Sequence, residues 1–172
     1  MTLIISADEI KKRLPGYDPE QSELFHRESA RIADKEYENA VKNCLEPTII
    51  LLAGGAASGK SEYVSAYLAN QDVIIFDATM RSFGGAQTKI RKAQKANKAV
   101  EVHLVIPETL NTAFDAFLNR DRKFPEEHFY LTHSCARKAV LEVANRFEIP
   151  IRIFQRSYEM IDGKHVTAFD ED

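Results

Sequence analysis

The sequence is constrained most by a glycine-rich stretch that directly follows an apolar run. Residues 54–61 (GGAASGKS) match the pattern G-x-x-x-x-G-K-[ST] at every fixed position. The preceding run, residues 48–53 (TIILLA), is typical of a strand buried on both faces of a parallel sheet. Glycines allow the loop backbone to wrap closely around an anion and to point its N–H groups inward. The sequence therefore predicts a strand, a phosphate-binding loop and a helix, in that order.

The loop pattern also predicts a role for individual side chains. A helix that begins behind the loop adds roughly half a positive charge at its N-terminus. Lys60 is expected to reach the β- and γ-phosphates, and the Ser61 hydroxyl to complete the Mg²⁺ shell. The alternative is a glycine-rich turn that binds nothing. We predict a purine nucleoside triphosphate, ATP or GTP, with Mg²⁺. The predicted nucleotide-binding residues are Gly54, Gly55, Ala56, Ala57, Ser58, Gly59, Lys60, Ser61 and Glu62.

Strand-like and helix-like segments alternate after the loop. Helices are expected over about residues 60–69, 86–99, 108–118 and 128–147, and strands over 72–77, 100–106 and 151–155. Before the loop, an amphipathic helix is expected from Asp18 to about Leu45. This alternation predicts an α/β fold of the P-loop kinase type, with a parallel sheet covered by helices on both faces. Near the end, Asp162-Gly163 is typical of a two-residue hairpin turn.

Length, charge and cysteine content set wider limits. A chain of 172 residues fits a single domain, with an N-terminal helical extension (1–46), a core (47–157) and a hairpin with a tail (158–172). The net charge of −3 argues against a general nucleic-acid binder. Two cysteines, a short apolar patch at residues 3–5 and no apolar run near 18 residues predict a cytoplasmic protein without a membrane segment.

Asp77 is the candidate acid for chemistry. It ends the predicted strand VIIFD, and the carboxyl ends of strands face the ligand crevice in α/β sheets. It is the one acid that ends a predicted strand, so we expect it to accept a proton from the substrate or to support the metal beside Ser61. Thr79 is expected to contact substrate or metal-bound water. The alternative for Asp77 is a turn residue.

Cations follow in the polar segment Asn119–Lys123, which lies between two predicted helices and is expected to act as a lid. Arg120 and Arg122 are expected to stabilise the transferring phosphoryl group, since arginine bridges phosphate oxygens well. The alternative is a solvated helix C-terminus, where cations are favoured. Further candidates for substrate contacts are Arg81, His133 and Arg137.

A basic run in residues 79–100 contains no acid and invites a second interpretation. Its cations are Arg81, Lys89, Arg91, Lys92, Lys95 and Lys98. Such a run could form a polyphosphate or nucleic-acid surface. However, the last five positions spread around a helix instead of forming one stripe, which favours a solvated outer helix.

Four segments, GGAASGKS, VIIFDATM, VEVHLVIPETL and FLNRDRKFPEEHF, together resemble the zeta-toxin family of P-loop kinases. The resemblance spans roughly residues 47–155. Zeta toxins typically use ATP and Mg²⁺ to phosphorylate a hydroxyl of UDP-N-acetylglucosamine. The resemblance implies a small-molecule kinase with an antitoxin protein as partner. It matches Lys60 and Ser61 to the nucleotide site, and Arg120 and Arg122 to the lid arginines.

The chain departs from the zeta-toxin pattern in one respect. Only one strand, residues 72–77, is predicted between the helix after the loop and the helix near Ala86, where zeta toxins usually have two. Asp77 is therefore expected either to take the roles of the acids on both strands or to correspond to one of them.

Two rival functions remain beside a sugar-nucleotide kinase. They are a polynucleotide 5′-hydroxyl kinase and a non-catalytic nucleotide-binding module.

Overall fold

The computed structural model describes residues 1–161 and 164–171. It is an α/β structure in which helices flank a mostly parallel six-stranded sheet. The strands are β1 (Leu3–Ser6), β2 (Thr48–Ala53), β3 (Val73–Asp77), β4 (Ala99–Pro107), β5 (Ile151–Ile161) and β6 (Lys164–Glu171). The helices are α1 (Ala7–Lys12), α2 (His26–Asn43), α3 (Lys60–Tyr63), α4 (Phe83–Lys95), α5 (Leu110–Leu118) and α6 (Glu126–Arg146). A 3₁₀ stretch (Pro19–Phe25) precedes α2, and a π-helical turn (Val64–Leu68) extends α3.

The strand order places β2 in the middle of the sheet. The order is β1-β3-β2-β4-β5-β6, in which the first five strands are parallel and β6 runs antiparallel to β5. Ser6 of β1 and Leu52 of β2 both pair with Asp77 of β3. The carboxyl ends of these three strands therefore meet at one edge of the sheet, where the glycine-rich loop begins.

Successive side chains of β2 pack against opposite layers, which explains its unbroken apolar run. Ile49 and Leu51 belong to the core shared with α2, α4 and α6. Ile50 and Leu52 belong to the core shared with α3 and its π-helical turn. All four are 2% exposed or less, and burial stabilises each such side chain by about 1.5–3 kcal/mol. The predicted parallel sheet with helices on both faces is confirmed at this level.

The N-terminal region is not the purely helical extension that the sequence predicts. Its first residues form β1, which pairs with β3 at the edge of the sheet. The predicted cap at Asp18 is present, since the Glu20 N–H donates to its Oδ1 (3.0 Å). It begins the 3₁₀ stretch and not an α-helix, because Gln21 has non-helical backbone angles (φ −116°, ψ 27°). The α-helix starts only at His26.

Other boundaries shift by a few residues for identifiable reasons. The fourth helix begins earlier than predicted, because the Ser82 hydroxyl accepts a hydrogen bond from the Gly85 N–H (3.3 Å) and caps it. At the C-terminus, β5 joins the predicted strand 151–155 and the first hairpin strand into one element. The predicted Asp162-Gly163 turn lies outside the described residues. Over residues 1–161 and 164–171, no helix is long and apolar enough to cross a bilayer.

Candidate functional site

The loop between β2 and α3 contains a position where neighbouring atoms leave no room for a side chain. Gly54 has φ +150°, and a Cβ there would lie 2.6 Å from the Val105 carbonyl oxygen and 2.7 Å from Ser58 Oγ. Only glycine fits such a position. Ala57 also has a left-handed backbone, with φ 59°. The ammonium of Lys60 folds back along the loop and donates to the Gly54 carbonyl (3.2 Å).

Helix α6 supports the loop from behind. The Ala56 N–H donates to Thr132 Oγ1 (3.0 Å), and His133 Nε2 lies 2.9 Å from the Ala56 carbonyl oxygen. Arg137 donates to His133 Nδ1 (3.3 Å). Both residues are predicted from the sequence to contact substrate; in the structure His133 contacts the loop, and Arg137 contacts His133. Their substrate contacts stay a prediction.

Strand β5 adds a cation that the sequence analysis did not assign. Arg156 donates from Nη1 to the Ala57 carbonyl (3.4 Å) and from Nη2 to Glu62 Oε1 (3.4 Å). Glu62, predicted to contact the nucleotide, therefore pairs with Arg156 across the start of α3. The signal was available, because Arg156 directly follows the predicted strand 151–155, and strand ends face the site.

A cavity of about 350 Å³ opens beside the loop, at the carboxyl ends of β1, β2 and β3. It brings together four of the predicted site residues, namely Lys60, Asp77, Thr79 and Arg81. The Gly54 N–H donates to the Thr79 carbonyl (3.4 Å), which ties the loop to the segment after β3. The remaining wall comes from α1, α2 and α4, including Asp8, His26, Asp34 and Lys89. The predicted acid and the loop lysine thus face one cavity.

The carboxylate of Asp77 is poorly compensated. Its Oδ2 accepts a hydrogen bond from Ser6 Oγ (3.4 Å). Its Oδ1 is shielded from solvent and has no hydrogen-bond partner among the described residues. Burial raises the pKa of Asp77, and the nearby positive charge of Lys60 offsets only part of this effect. A buried acid with a free oxygen at a cavity wall is suited to a cation or a proton.

Asp8 is a second acid at the cavity, and the sequence analysis missed it. It lies two residues beyond β1, whose last residue pairs with Asp77. Lys11, only 1% exposed, lies 3.2 Å from its Oδ1, and Arg122 forms an ion pair with its Oδ2. Partial burial raises the pKa of Asp8, but the charges of Arg122 and Lys11 outweigh it and lower the pKa to about 2. The apolar residues 3–5 before a polar segment were the available signal.

The two predicted lid arginines lie in different surroundings. Arg122 reaches Asp8 at the cavity wall. Arg120 stacks between Phe117 and Phe124, with its guanidinium carbon 4.3 and 5.4 Å from the ring centroids. Its Nη2 is shielded from solvent without a partner among the described residues, and burial lowers its pKa to about 10. Their action on a phosphoryl group stays a prediction.

A second cavity, of about 300 Å³, lies on the face of the sheet that α3 covers. The Tyr63 hydroxyl hydrogen-bonds His103 Nδ1 (2.9 Å), and His103 Nε2 hydrogen-bonds Glu101 (3.0 Å). These polar groups satisfy one another, which is typical of a buried structural network. Lys60 and Asp77, the predicted loop lysine and acid, line the first cavity and not this one.

Within the described ranges, no group of three or more His, Cys, Asp and Glu side chains is arranged to hold a metal ion.

A scan of protein-family models finds no match, and a search of curated proteins finds no significant relative. The function is therefore inferred from the residues of the site and their geometry.

Proposed function

We propose that this chain is a kinase that uses ATP, or GTP in its place, with Mg²⁺ and transfers the γ-phosphoryl group to an alcohol group of a small molecule. The observation that carries this proposal is that Lys60 of the glycine-rich loop and the Asp77 carboxylate line one cavity. Phosphoryl transfer needs a cation on the phosphate oxygens and a carboxylate near the attacking hydroxyl, where it can accept the proton. The resemblance to zeta toxins makes UDP-N-acetylglucosamine the first acceptor to test.

Lys60 is proposed to bind the β- and γ-phosphates. Its ammonium donates to the Gly54 carbonyl, so the side chain is already held beside the loop. Turning to a phosphate oxygen would exchange a neutral acceptor for a charged one, which adds the attraction between opposite charges to the hydrogen bond. The loop backbone would supply further N–H donors, apart from three that are already engaged. Those of Gly54, Ala56 and Ser58 donate to the Thr79 carbonyl, Thr132 Oγ1 and the Gly55 carbonyl.

The oxygen donors near the loop fit a magnesium ion. Mg²⁺ prefers oxygen ligands and is often held by one or two protein side chains together with substrate phosphates. The Ser61 hydroxyl and the unpartnered Oδ1 of Asp77 are the protein ligands we propose. When bound, the ion would neutralise charge on the transferring phosphoryl group.

Asp77 has a second proposed role, as the acceptor of the substrate's hydroxyl proton. Its raised pKa brings it closer to the operating pH, and proton transfer is most efficient there. Ser6 fixes its orientation through Oδ2. Asp8 is less suited, because two cations occupy its oxygens and lower its pKa. We propose that Asp8, which lines the cavity, instead holds Arg122 beside it for contact with a phosphoryl group.

The test uses two substitutions, each with a matched exposed control. Lys60→Ala should lower ATP affinity at least about tenfold and abolish transfer, whereas Lys35→Ala should do neither. Asp77→Asn should lower transfer at least about a hundredfold, as loss of a general base does, whereas Asp115→Asn should not. Calorimetry measures ATP binding, and mass spectrometry of UDP-N-acetylglucosamine or a metabolite extract detects an added phosphate.

The two roles of Asp77 separate in the same experiment. If Asp77 accepts the proton, Asp77→Asn should bind Mg²⁺-ATP as tightly as the native protein does. If Asp77 is a metal ligand, the substitution should weaken the binding of Mg²⁺-ATP but not the binding of ATP without Mg²⁺. Retention of both nucleotide affinity and transfer in Lys60→Ala and Asp77→Asn would contradict the proposed function.

The rival interpretation as a polynucleotide kinase finds less support in the contacts of α4. Lys89 pairs with Asp34 (2.8 Å), and Lys92 pairs with Glu38. Lys98 donates to the backbone carbonyls of Cys44 (2.8 Å) and Glu46 (2.6 Å). Three cations of the basic run are thus engaged inside the molecule. Salt-dependent binding of oligonucleotides would favour the rival.

A non-catalytic nucleotide-binding module would bind ATP without phosphorylating any acceptor, and Arg120→Ala would leave its behaviour unchanged. Loss of transfer in Arg120→Ala would favour the kinase, because the unpartnered Nη2 of Arg120 is suited to an anionic oxygen. Two further predictions stay part of the proposal: an antitoxin partner, which the family resemblance implies, and a cytoplasmic location, which the low cysteine content and the lack of a long apolar run predict.

A further inference from the structure

Both polar backbone groups of one loop residue are bound by the helix behind the loop. The N–H of Ala56 donates to Thr132 Oγ1 (3.0 Å), and its carbonyl oxygen lies 2.9 Å from His133 Nε2. Thr132 is fully buried and His133 is 3% exposed. These side chains sit side by side on α6 and hold the middle of the loop from below.

The chemistry of the partners fixes the proton on the His133 ring. A carbonyl oxygen only accepts, so Nε2 carries the hydrogen. Nδ1 is then an acceptor, and Arg137 Nη1 donates to it (3.3 Å) while also donating to the His133 carbonyl (3.2 Å). Burial lowers the pKa of His133 to about 4, and the charge of Arg137 acts in the same direction. The ring is therefore neutral at pH 7, with both nitrogens engaged.

The ring also accounts for a glycine that the loop pattern leaves open. Gly55 occupies an unrestricted position of G-x-x-x-x-G-K-[ST]. A Cβ at Gly55 would lie 2.3 Å from Cγ and Cδ2 of His133, closer than any real contact. His133 and Gly55 therefore fit as a pair, and the hydrogen bond to Ala56 depends on this close approach.

We propose that His133, together with Thr132, is a positioning residue that holds the glycine-rich loop in its phosphate-binding shape before a nucleotide arrives. The inference rests on the proposed function, because it assigns the loop to a triphosphate. A loop that is already ordered avoids the free-energy cost of ordering on binding, and so binds more tightly. The inference replaces the substrate contact expected for His133, since neither ring nitrogen is left for a substrate.

Four variants separate the hydrogen bonds to the loop from the packing of the His133 ring. His133→Gln places an N–H donor near the position of Nε2, whereas His133→Leu keeps an apolar side chain of similar bulk without a donor. Ser134→Ala is the matched control, because Ser134 is exposed on the same helix and its hydroxyl donates only to the Leu131 carbonyl. Thr132→Val removes the second contact with little change of volume and serves if His133→Leu does not fold.

The first measurement is amide hydrogen exchange of the peptide covering residues 53–62, without nucleotide. We expect exchange to be about tenfold faster in His133→Leu and Thr132→Val, and close to the native rate in His133→Gln and Ser134→Ala, because one net hydrogen bond corresponds to about this factor. We call the hold of His133 and Thr132 on the loop the clamp. Equal exchange rates in all four variants would overturn the proposed clamp, whether or not the protein binds nucleotide.

The second measurement is ATP affinity by calorimetry, beside the thermal unfolding midpoint of each variant. We expect about tenfold weaker binding in His133→Leu, rescue in His133→Gln, and no change in Ser134→Ala. Unchanged affinity in a folded His133→Leu, or equally weak binding in His133→Gln, would overturn the inference. Failure of the native protein to bind ATP would instead contradict the proposed function, and the exchange rates would still decide on the clamp.

Discussion

At the residue scale, Asp77 combines shielding from solvent with an oxygen that has no partner among the described residues. Its raised pKa means that burial makes the charged form less favourable in the folded protein than in the unfolded chain. Groups placed for chemistry commonly reduce stability in this way. The same carboxylate that supports the proposed transfer should therefore weaken the fold.

Asp77→Asn is expected to raise the free energy of unfolding by about 0.5–2 kcal/mol at pH 7.5 while transfer is lost. The amide keeps an oxygen that accepts from Ser6 but carries no charge to desolvate. The gain should shrink as the pH falls through the raised pKa of the folded state, and it should be gone below the ordinary aspartate pKa, where the carboxyl is protonated in the folded and the unfolded protein. Urea denaturation of Asp77→Asn beside Asp115→Asn measures it. A loss of stability in Asp77→Asn at pH 7.5 would contradict this account.

His133 gives a second prediction, which concerns acid pH. Burial lowers its pKa to about 4 in the folded protein, against an ordinary value of 6.5. The unfolded chain therefore binds more protons between these values, and stability present above pH 6.5 is lost as the pH falls towards 4. The loss from this residue should approach about 3 kcal/mol. Since other histidines shift in the same direction, the difference between native protein and His133→Gln isolates it. Parallel pH curves for the two proteins would refute the prediction.

The positions of candidate residues were predictable where a sequence pattern fixed them. The loop pattern located Lys60, and the rule about strand ends located Asp77 at the same cavity. Asp8 could not be predicted as a site residue, because it follows β1, which has only four residues and no strong apolar periodicity. Thr132 escaped because nothing in a helical sequence shows which loop the helix will touch. Such contacts depend on tertiary packing.

At the element scale, the segment Asn119–Lys123 and the residue after it, Phe124, are attached to the N-terminal region at three points. Arg122 pairs with Asp8, and the Lys123 N–H donates to the Pro19 carbonyl (3.2 Å). The ammonium of Lys11 lies 5.2 Å from the centroid of the Phe124 ring. The predicted lid is thus tied to α1 and the 3₁₀ stretch, which belong to the segment that the sequence predicts as an N-terminal extension.

Asp8→Asn should loosen this attachment, because it leaves Arg122 and the buried Lys11 without a charged partner. Trypsin provides the readout, since the segment contains Arg120, Arg122 and Lys123. We expect cleavage there to accelerate about threefold to tenfold under native conditions. Glu9→Gln is the control, because it removes only the exposed pair with Lys12 on the same helix. Equal cleavage rates in the two variants would show that the ion pair does not hold the segment.

The order of helices and strands after residue 47 was predictable, because apolar period and length separate the elements. The boundaries were less so. The Ser82 cap starts α4 three residues before the predicted position, and the side chain of Phe83 packs beside Phe147 (6.2 Å between ring centroids). The π-helical turn Val64–Leu68 has no sequence signal that we can identify.

At the scale of the whole molecule, the N-terminal region fills a position that the sequence leaves empty. Only one strand, β3, lies in sequence between α3 and α4. The strand that pairs with the far side of β3 comes instead from residues 3–6. Because β1 ends beside Asp77, the same segment also brings Asp8 to the cavity wall. Sequence order alone does not reveal this, since non-consecutive strands become neighbours through tertiary packing.

The role of β1 leads to a prediction about two adjacent isoleucines. Ile5 is 2% exposed and belongs to the core with α2, α4 and α6, whereas Ile4 is 48% exposed on the opposite face of the strand. Ile5→Ala should lower the free energy of unfolding by about 2–4 kcal/mol, and Ile4→Ala by less than about 1 kcal/mol. Urea denaturation of both variants measures the difference.

The pair tests the register as well as the burial. Ile4 pairs with Ile75 and Ile5 with Phe76, and a slip of one residue would exchange the two side chains between the faces of the sheet. A larger loss for Ile4→Ala than for Ile5→Ala would therefore mean a shifted register. Such a shift would also move Ser6 away from Asp77 and turn Asp8 from the cavity. A small loss for both would mean that β1 is not part of the cooperative fold, and the acid at its end would then have no fixed place beside Asp77.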